Sequence, residues 1–248
     1  MKWIPSWLGQ AYSALYSEFG TSEFSLEDAE EVLRRERKYV RVVLSRLREA
    51  GWCVREGRGR YRLLSPLECV LMMSGLSRLA DRVPQKEYAP LLRKVVLELV
   101  RELGDSLMGI LLFGSVARGE ARMNSDVDLL VVAEGLPSSY MERARIMARV
   151  VEKTRGERIK LFSKGIHPTL QIIAYTPEEM EVFRALYFDL AVDGIILYSR
   201  RGYVEELLRK IRRTLEESKA RKVVLPGGRW YWVVGKDEEI SSRLLEEG

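Results

Sequence analysis

Residues 109–132 read GILLFGSVARGEARMNSDVDLLVV. An apolar run ends at Gly114-Ser115, a short helical turn follows, and Asn124-Ser125 turns the chain into a second apolar run that opens on Asp126-Val127-Asp128. Short apolar runs bounded by turn signals read as strands buried on both faces, here over 110–113 and 127–133. Gly114 lets a phosphate approach the backbone with no side chain in the way. The helix start after Ser115 offers free N–H groups and a positive dipole end, and the Ser115 hydroxyl can donate to a phosphate oxygen. Asp126 and Asp128, two apart on a strand, project from one face. Such a pair can hold two Mg²⁺ ions, with Mn²⁺ as an alternative, roughly 3.5–4 Å apart, where they bridge a triphosphate and an attacking group.

The two carboxylates differ in weight. Asp126 alone could be a turn residue after Asn124-Ser125. Asp128 sits among Val127, Leu129, Leu130, Val131 and Val132, and an unpaired buried carboxylate is costly. A cation site explains it more economically than packing does. Arg118 and Arg122 lie between the two strands and are either phosphate contacts or ordinary surface arginines.

Working outward, helices and strands alternate. A helix is expected from about Pro90, with Leu91, Leu92, Val95, Val96, Leu99, Val100 and Leu103 inward. Another is capped at Ser139 and runs to about Arg155. A strand follows over 170–175, a helix begins at Thr176-Pro177-Glu178-Glu179, and a further strand spans 195–197. A basic amphipathic helix over 204–219 precedes a hairpin formed by 222–225 and 230–234 around Pro226-Gly227-Gly228.

Gly-Ser, ten residues, Asp-x-Asp resembles the nucleotidyltransferase superfamily related to DNA polymerase beta, and most of all the minimal nucleotidyltransferases of prokaryotes. The resemblance is dense over 109–132, and the flanking elements fit over 87–200. It implies that Gly114 and Ser115 touch the triphosphate, with Arg118 and Arg122 as further nucleotide contacts, and that Asp126 and Asp128 are the catalytic, metal-binding pair. It also implies transfer of a nucleoside monophosphate to an acceptor hydroxyl on a protein, an RNA end or a small molecule. Some members act as antitoxins that transfer AMP to a partner toxin of the HEPN type. The chain departs from the family in one respect. A third carboxylate usually comes from a later strand, but the polar residue of the strand over 170–175 is Gln171, which cannot accept a proton. Asp189, on a helix, and Asp193, which Asp193-Gly194 places in a turn, are the acids nearby in sequence. A second reading is therefore a DNA-binding regulator that senses a nucleotide with weak or lost catalysis.

The N-terminal quarter has a different character. Apolar residues repeat at helical spacing from Trp7 to Phe19, and Ser25 caps a second short helix. Val40, Val43, Leu44 and Leu47 give a third helix one clean face, and two strands, 52–56 and 60–64, flank Gly57-Arg58-Gly59. Three helices followed by a two-stranded wing resemble the winged helix-turn-helix family. Between Arg34 and Arg62 there are eleven basic residues against three acids, an excess of eight where the whole chain carries +5. The third helix then presents Tyr39, Arg41, Ser45, Arg46 and Arg48, and the wing tip Arg58 and Arg60, to DNA or RNA. The alternative is a solvated face on a domain that only dimerises, and a homodimer would suit either role.

The expected organisation is a winged helix domain (1–65), a linker helix (66–86), a nucleotidyltransferase domain (87–200) and a C-terminal basic helix and hairpin (201–248). The fold class is α/β: an N-terminal winged helix followed by a mixed sheet with flanking helices. Cys53, Cys69 and the single histidine, His167, are too few for a zinc centre or a disulfide framework. No run approaches the ~20 apolar residues of a membrane span, and Met1-Lys2-Trp3-Ile4-Pro5 has no signal-peptide pattern, so a cytoplasmic protein is expected. One asparagine, three glutamines and abundant arginine suit a thermophile.

Overall fold

The structure is a computed structural model that describes residues 2–76, 79–182, 184–219, 221–224 and 230–233. It divides into two compact units, Met1–Leu79 and Ala80–Gly248.

The first unit holds α1 (Ser6–Phe19), β1 (Glu23–Ser25), α2 (Leu26–Leu33), α3 (Arg37–Ala50), β2 (Cys53–Gly57), β3 (Arg60–Leu63) and α4 (Pro66–Met73). The strands form one antiparallel sheet in the order β1-β3-β2. β1 has too few residues to show alternation in the sequence; it pairs with β3 through Phe24, which is buried against Phe19. Leu8, Leu15, Val40, Val43, Leu44, Leu47 and Leu63 fill the core. Ser25 and Asp28 cap α2 reciprocally, as Ser65 and Glu68 cap α4, and each pair satisfies donors that a helix start leaves orphaned. The continuous linker helix expected over 66–86 is not formed. α4 stops at Ser74-Gly75, where Gly75 adopts φ +116, and a separate turn of helix, α5 (Leu79–Arg82), follows. Serine and glycine are weak helix residues, and glycine at positive φ ends the run.

The second unit is built on a four-stranded mixed sheet in the order β6-β5-β4-β7, from β4 (Leu107–Phe113), β5 (Val127–Ala133), β6 (Leu170–Tyr175) and β7 (Ile195–Ser199). β5 runs antiparallel to β4 and parallel to β6, and β4 runs antiparallel to β7. Helices cover both faces, which is why β4 and β5 are apolar throughout. On one face lie α6 (Ala89–Leu103), α8 (Tyr140–Lys153) and α9 (Arg155–Phe162). On the other, α10 (Leu186–Asp193) and α11 (Tyr203–Glu217) pack on Leu111, Phe113, Leu130 and Val132.

The helix expected at Thr176 is only a single 3₁₀ turn over Glu179–Glu181. The Glu179 carboxylate accepts the Thr176 N–H at 2.9 Å and both Arg143 Nη groups at 2.7 and 2.9 Å, so it ties the end of β6 to α8. The C-terminal strands β8 (Arg221–Val224) and β9 (Trp230–Val233) pair antiparallel. Leu225, the turn at Pro226-Gly227-Gly228 and Val234 lie outside the described residues. Among the described residues, no helix is long and apolar enough to cross a membrane.

Candidate active site

The site grows from the β4–β5 hairpin. β4 ends at Phe113, whose register partner on β5 is Asp128. The chain then turns at Gly114 (φ +73) into α7 (Gly114–Arg118), a five-residue helix anchored by buried Val116 and Ala117. A Cβ on Gly114 would lie 2.2 Å from Asp128 Oδ2. Glycine is required twice over here, by backbone conformation and by the carboxylate against its Cα.

The loop between α7 and β5 is held at several points. Gln85 donates from Nε2 to the Ala121 carbonyl at 3.0 Å and accepts the Ala121 N–H on Oε1 at 3.1 Å. Ser125 Oγ accepts the Arg122 N–H at 2.8 Å, and the Ser125 N–H donates to the Arg122 carbonyl at 3.1 Å. The His167 N–H reaches the Met123 carbonyl at 2.6 Å, and the Val127 N–H reaches the Thr169 carbonyl at 2.8 Å. In the sequence Gln85 falls in a helix break and His167 in a loop; their contacts span 36 and 44 positions, beyond any local pattern.

Asp126 is exposed and Asp128 half-buried. Burial pushes the Asp128 carboxyl above the usual aspartate range, and the negative charges of Asp126 and Asp189 push it further; Arg118 pulls the other way. By strand alternation Asp128 shares its face with Leu130 and Val132, the face covered by α10, which is how Asp189 comes into range. Arg118 is held by Glu120 at 2.7 Å and Asp193 at 3.2 Å. Asp193 is thus the last residue of α10 and an ion-pair partner of α7, not the turn residue that Asp193-Gly194 suggested. Ser115 is half-buried at the second position of α7, and Arg122 is exposed.

The parallel β5–β6 register sets Gln171 directly beside Asp128, so the in-register neighbour on β6 is an amide. Two carboxylates are oxygen donors suited to Mg²⁺, which keeps phosphate oxygens and water for its remaining positions. Among the described residues, no group of three or more His, Cys, Asp or Glu side chains gathers to hold an ion. Cys53 and Cys69 are buried, and burial raises their thiols to about 11 and about 12, well away from reactive thiolates.

In the first unit, α3 and the β2–β3 hairpin expose Tyr39, Arg41, Ser45, Arg46, Arg48, Arg58 and Arg60. Arg46 and Ser45 are engaged by Glu49 at 3.0 and 3.2 Å. Arg41, Arg48, Arg58 and Arg60 make no ion pair among the described residues.

A family model described as a nucleotidyltransferase domain matches residues 92–220, 129 of the 248. A Methanocaldococcus jannaschii protein named "Putative protein adenylyltransferase" is 28% identical over 119 residues, covering 48% of this chain and 77% of its own length. A toxin–antitoxin crystal structure with AMP-PNP is 18% identical with a TM-score of 0.34, covering 50% of this chain and 86% of its own. The AMPylated Shewanella oneidensis HEPN toxin in complex with its MNT antitoxin gives 16% and 0.33, covering 52% and 86%. Likenesses with TM-scores this far below 0.5 do not define a shared function. The family model spans more than half of the chain and includes the whole β4–α7–β5 hairpin, and on that ground the chain belongs to the nucleotidyltransferase family.

Proposed function

We propose that this nucleotidyltransferase moves a nucleoside monophosphate from a Mg²⁺-bound nucleoside triphosphate to an acceptor hydroxyl, with Asp126 and Asp128 as the metal-binding pair. One observation carries the reading: Asp128 is half-buried, its carboxylate packed against Gly114, and the nearby charges of Asp126 and Asp189 repeat its own sign. A bound cation relieves that repulsion. Gly114 leaves space at the turn, Ser115 offers a hydroxyl, and Arg118 and Arg122 supply positive charge for phosphates. Bound Mg²⁺ would neutralise charge on the triphosphate and orient it. The acceptor oxygen attacks the α-phosphorus, the bond to the α–β bridging oxygen breaks, pyrophosphate leaves, and the hydroxyl proton passes to water. The name of the M. jannaschii relative supports adenylyl transfer to a protein, and the superfamily resemblance implies a HEPN-type partner as one such acceptor. Titration calorimetry with ATP and GTP, with and without Mg²⁺, tests the site. Asp128→Asn is expected to abolish the Mg²⁺-dependent part of binding with the fold intact; unchanged affinity in that variant would sink the assignment.

A second reading, a nucleotide sensor with weak turnover, is favoured by the amide of Gln171 beside Asp128. Mg²⁺-dependent binding without transfer to any acceptor would decide for it. The winged-helix arrangement and the exposed Arg41, Arg48, Arg58 and Arg60 support nucleic-acid binding by the first unit. Replacing Arg58 and Arg60 by Ala should flatten the slope of log K against log salt, by about 0.9 for each duplex phosphate that is no longer neutralised. An unaltered slope would assign this unit to dimerisation.

A further inference from the structure

The two edges of the four-stranded sheet are finished differently. At the β7 edge, Arg82 Nη1 donates to the Ile196 carbonyl at 2.6 Å, and a guanidinium blocks further strand pairing there. On β6 the Thr169 carbonyl and the odd-numbered residues turn toward β5, as the bond from the Val127 N–H shows. Backbone direction alternates along a strand, so the even-numbered residues turn outward. Arg143 Nη1 meets the Ala174 carbonyl there at 3.2 Å and closes the C-terminal end of the edge. Leu170 and Ile172 aim N–H and C=O groups away from the sheet, and among the described residues no strand pairs with them. Beside this open stretch lies a cavity of about 270 Å³ between α8 and β6, lined in part by Tyr140, Ala144, Met147 and Ile172.

We infer that β6 is the docking edge for the acceptor, and that the acceptor is an extended polypeptide segment added to the sheet as a fifth strand. The inference rests on the transferase reading above and names the substrate class of that site. The chemistry of the edge selects the ligand: a donor and acceptor repeating every second residue matches a polypeptide backbone, and nucleic acid carries no such ladder. The cavity takes one apolar side chain of the incoming segment. The position also fits the reaction. Gln171, in register with Asp128, lies between the site and the open edge. A fifth strand would run about 4.8 Å beyond Gln171 and roughly 10 Å from the strand of Asp128, so a hydroxyl side chain of matching parity stands on the same side of the sheet as Asp128, beside the site. Its oxygen forms the new bond to the α-phosphorus as pyrophosphate departs, with its proton released to water.

The probe is a set of ten-residue synthetic peptides with Val at alternate positions and one central Ser, Thr or Tyr, incubated with the full chain, Mg²⁺ and labelled ATP. Label is expected on the peptides. N-methylation at one parity of the peptide backbone should abolish transfer, and at the other parity leave it. Ile172→Pro removes only the outward N–H and keeps the β5–β6 ladder, since proline is tolerated at such edge positions; transfer should fall at least about tenfold with ATP·Mg²⁺ affinity unchanged. Equal behaviour of the two methylation parities, or wild-type transfer by Ile172→Pro, overturns the inference. So does a wild-type protein that binds ATP·Mg²⁺ and labels RNA ends or small alcohols but no peptide. Failure of the wild-type chain to bind ATP·Mg²⁺ would instead remove the site reading beneath it.

Discussion

Glu98 and Asp128 are both carboxylates drawn out of water, and their surroundings are opposite. Glu98 on α6 has a side chain only 3% exposed, and it meets Lys94 at 2.8 Å, Arg101 at 2.7 Å and Lys153 at 3.9 Å. One turn on, Glu102 is held below the usual glutamate range, first by its hydrogen bond from Arg149. Asp128 has Asp126 and Asp189 for neighbours, and among the described residues the cation acting on it is Arg118, which is shared with Glu120 and Asp193. A buried charge balanced within the chain holds the fold together. One left unbalanced is the kind that the proposed cation site would complete.

The contrast can be sharpened most by adding to the deficit. Gln171→Asp and Gln171→Glu place a third carboxylate in register with Asp128 and supply the proton acceptor that the amide lacks. Single-turnover transfer should rise, bounded by the roughly 10²–10⁴-fold that a positioned base contributes. If both variants are slower than wild type, the base lies elsewhere or the acceptor brings its own.

Removing charge from the balanced side should act on stability alone. Glu98→Gln leaves Lys94 and Arg101 with a neutral partner. Their side chains are about one-third exposed and can rehydrate, so the cost should be about 1–3 kcal/mol in denaturant unfolding. ATP·Mg²⁺ affinity should not move. A variant as stable as wild type would break the comparison, because Glu98 would then hold nothing in place.

The smallest effect is expected where the deficit is relieved. The folded-state pKa of Asp128 is raised, so this group favours the fold while protonated, and the benefit is lost as pH rises through the ordinary aspartate range to the folded value. Without ligand, Asp128→Asn should therefore melt higher than wild type at pH 7, by at most a few degrees, and match it at pH 3. Mg²⁺ with ATP should raise the wild-type midpoint and leave the variant where it was. A lower midpoint for the variant at pH 7 would mean that the carboxylate already has its partner within the chain.

What could be read from the sequence follows the range of the interactions. β5 and β6 span the residues expected, and α6 and α8 nearly so, because each is long, periodic or bounded by Gly, Ser or Pro. The Gly-Ser and Asp-x-Asp residues are local in the same sense: β4, α7 and β5 are consecutive, so the hairpin itself brings Gly114 to Asp128. α9 (Arg155–Phe162) begins where the helix capped at Ser139 is expected to end, and with Leu161 as its buried residue it shows no apolar stripe to read. At Thr176 the capping pair with Glu179 does form, but only one 3₁₀ turn follows, and Glu179 also binds Arg143, 36 positions away, a contact outside any local window. The pairing of Arg118 with Asp193 spans 75 positions, and no window of sequence contains it. The deficit around Asp128 is hidden for the same reason, since Asp189 reaches it only through the packing of α10 on the sheet.

The contact between Gly114 and Asp128 has a consequence for inheritance and design. Fourteen positions apart, the two behave as one unit: a side chain at 114 evicts the carboxylate, and a larger residue at 128 displaces the turn. A side chain at 114 and a residue larger than aspartate at 128 each break the same junction, so the effects of two such substitutions should not add in a double variant. Anyone moving this chemistry to a new scaffold must carry the glycine along with the acid.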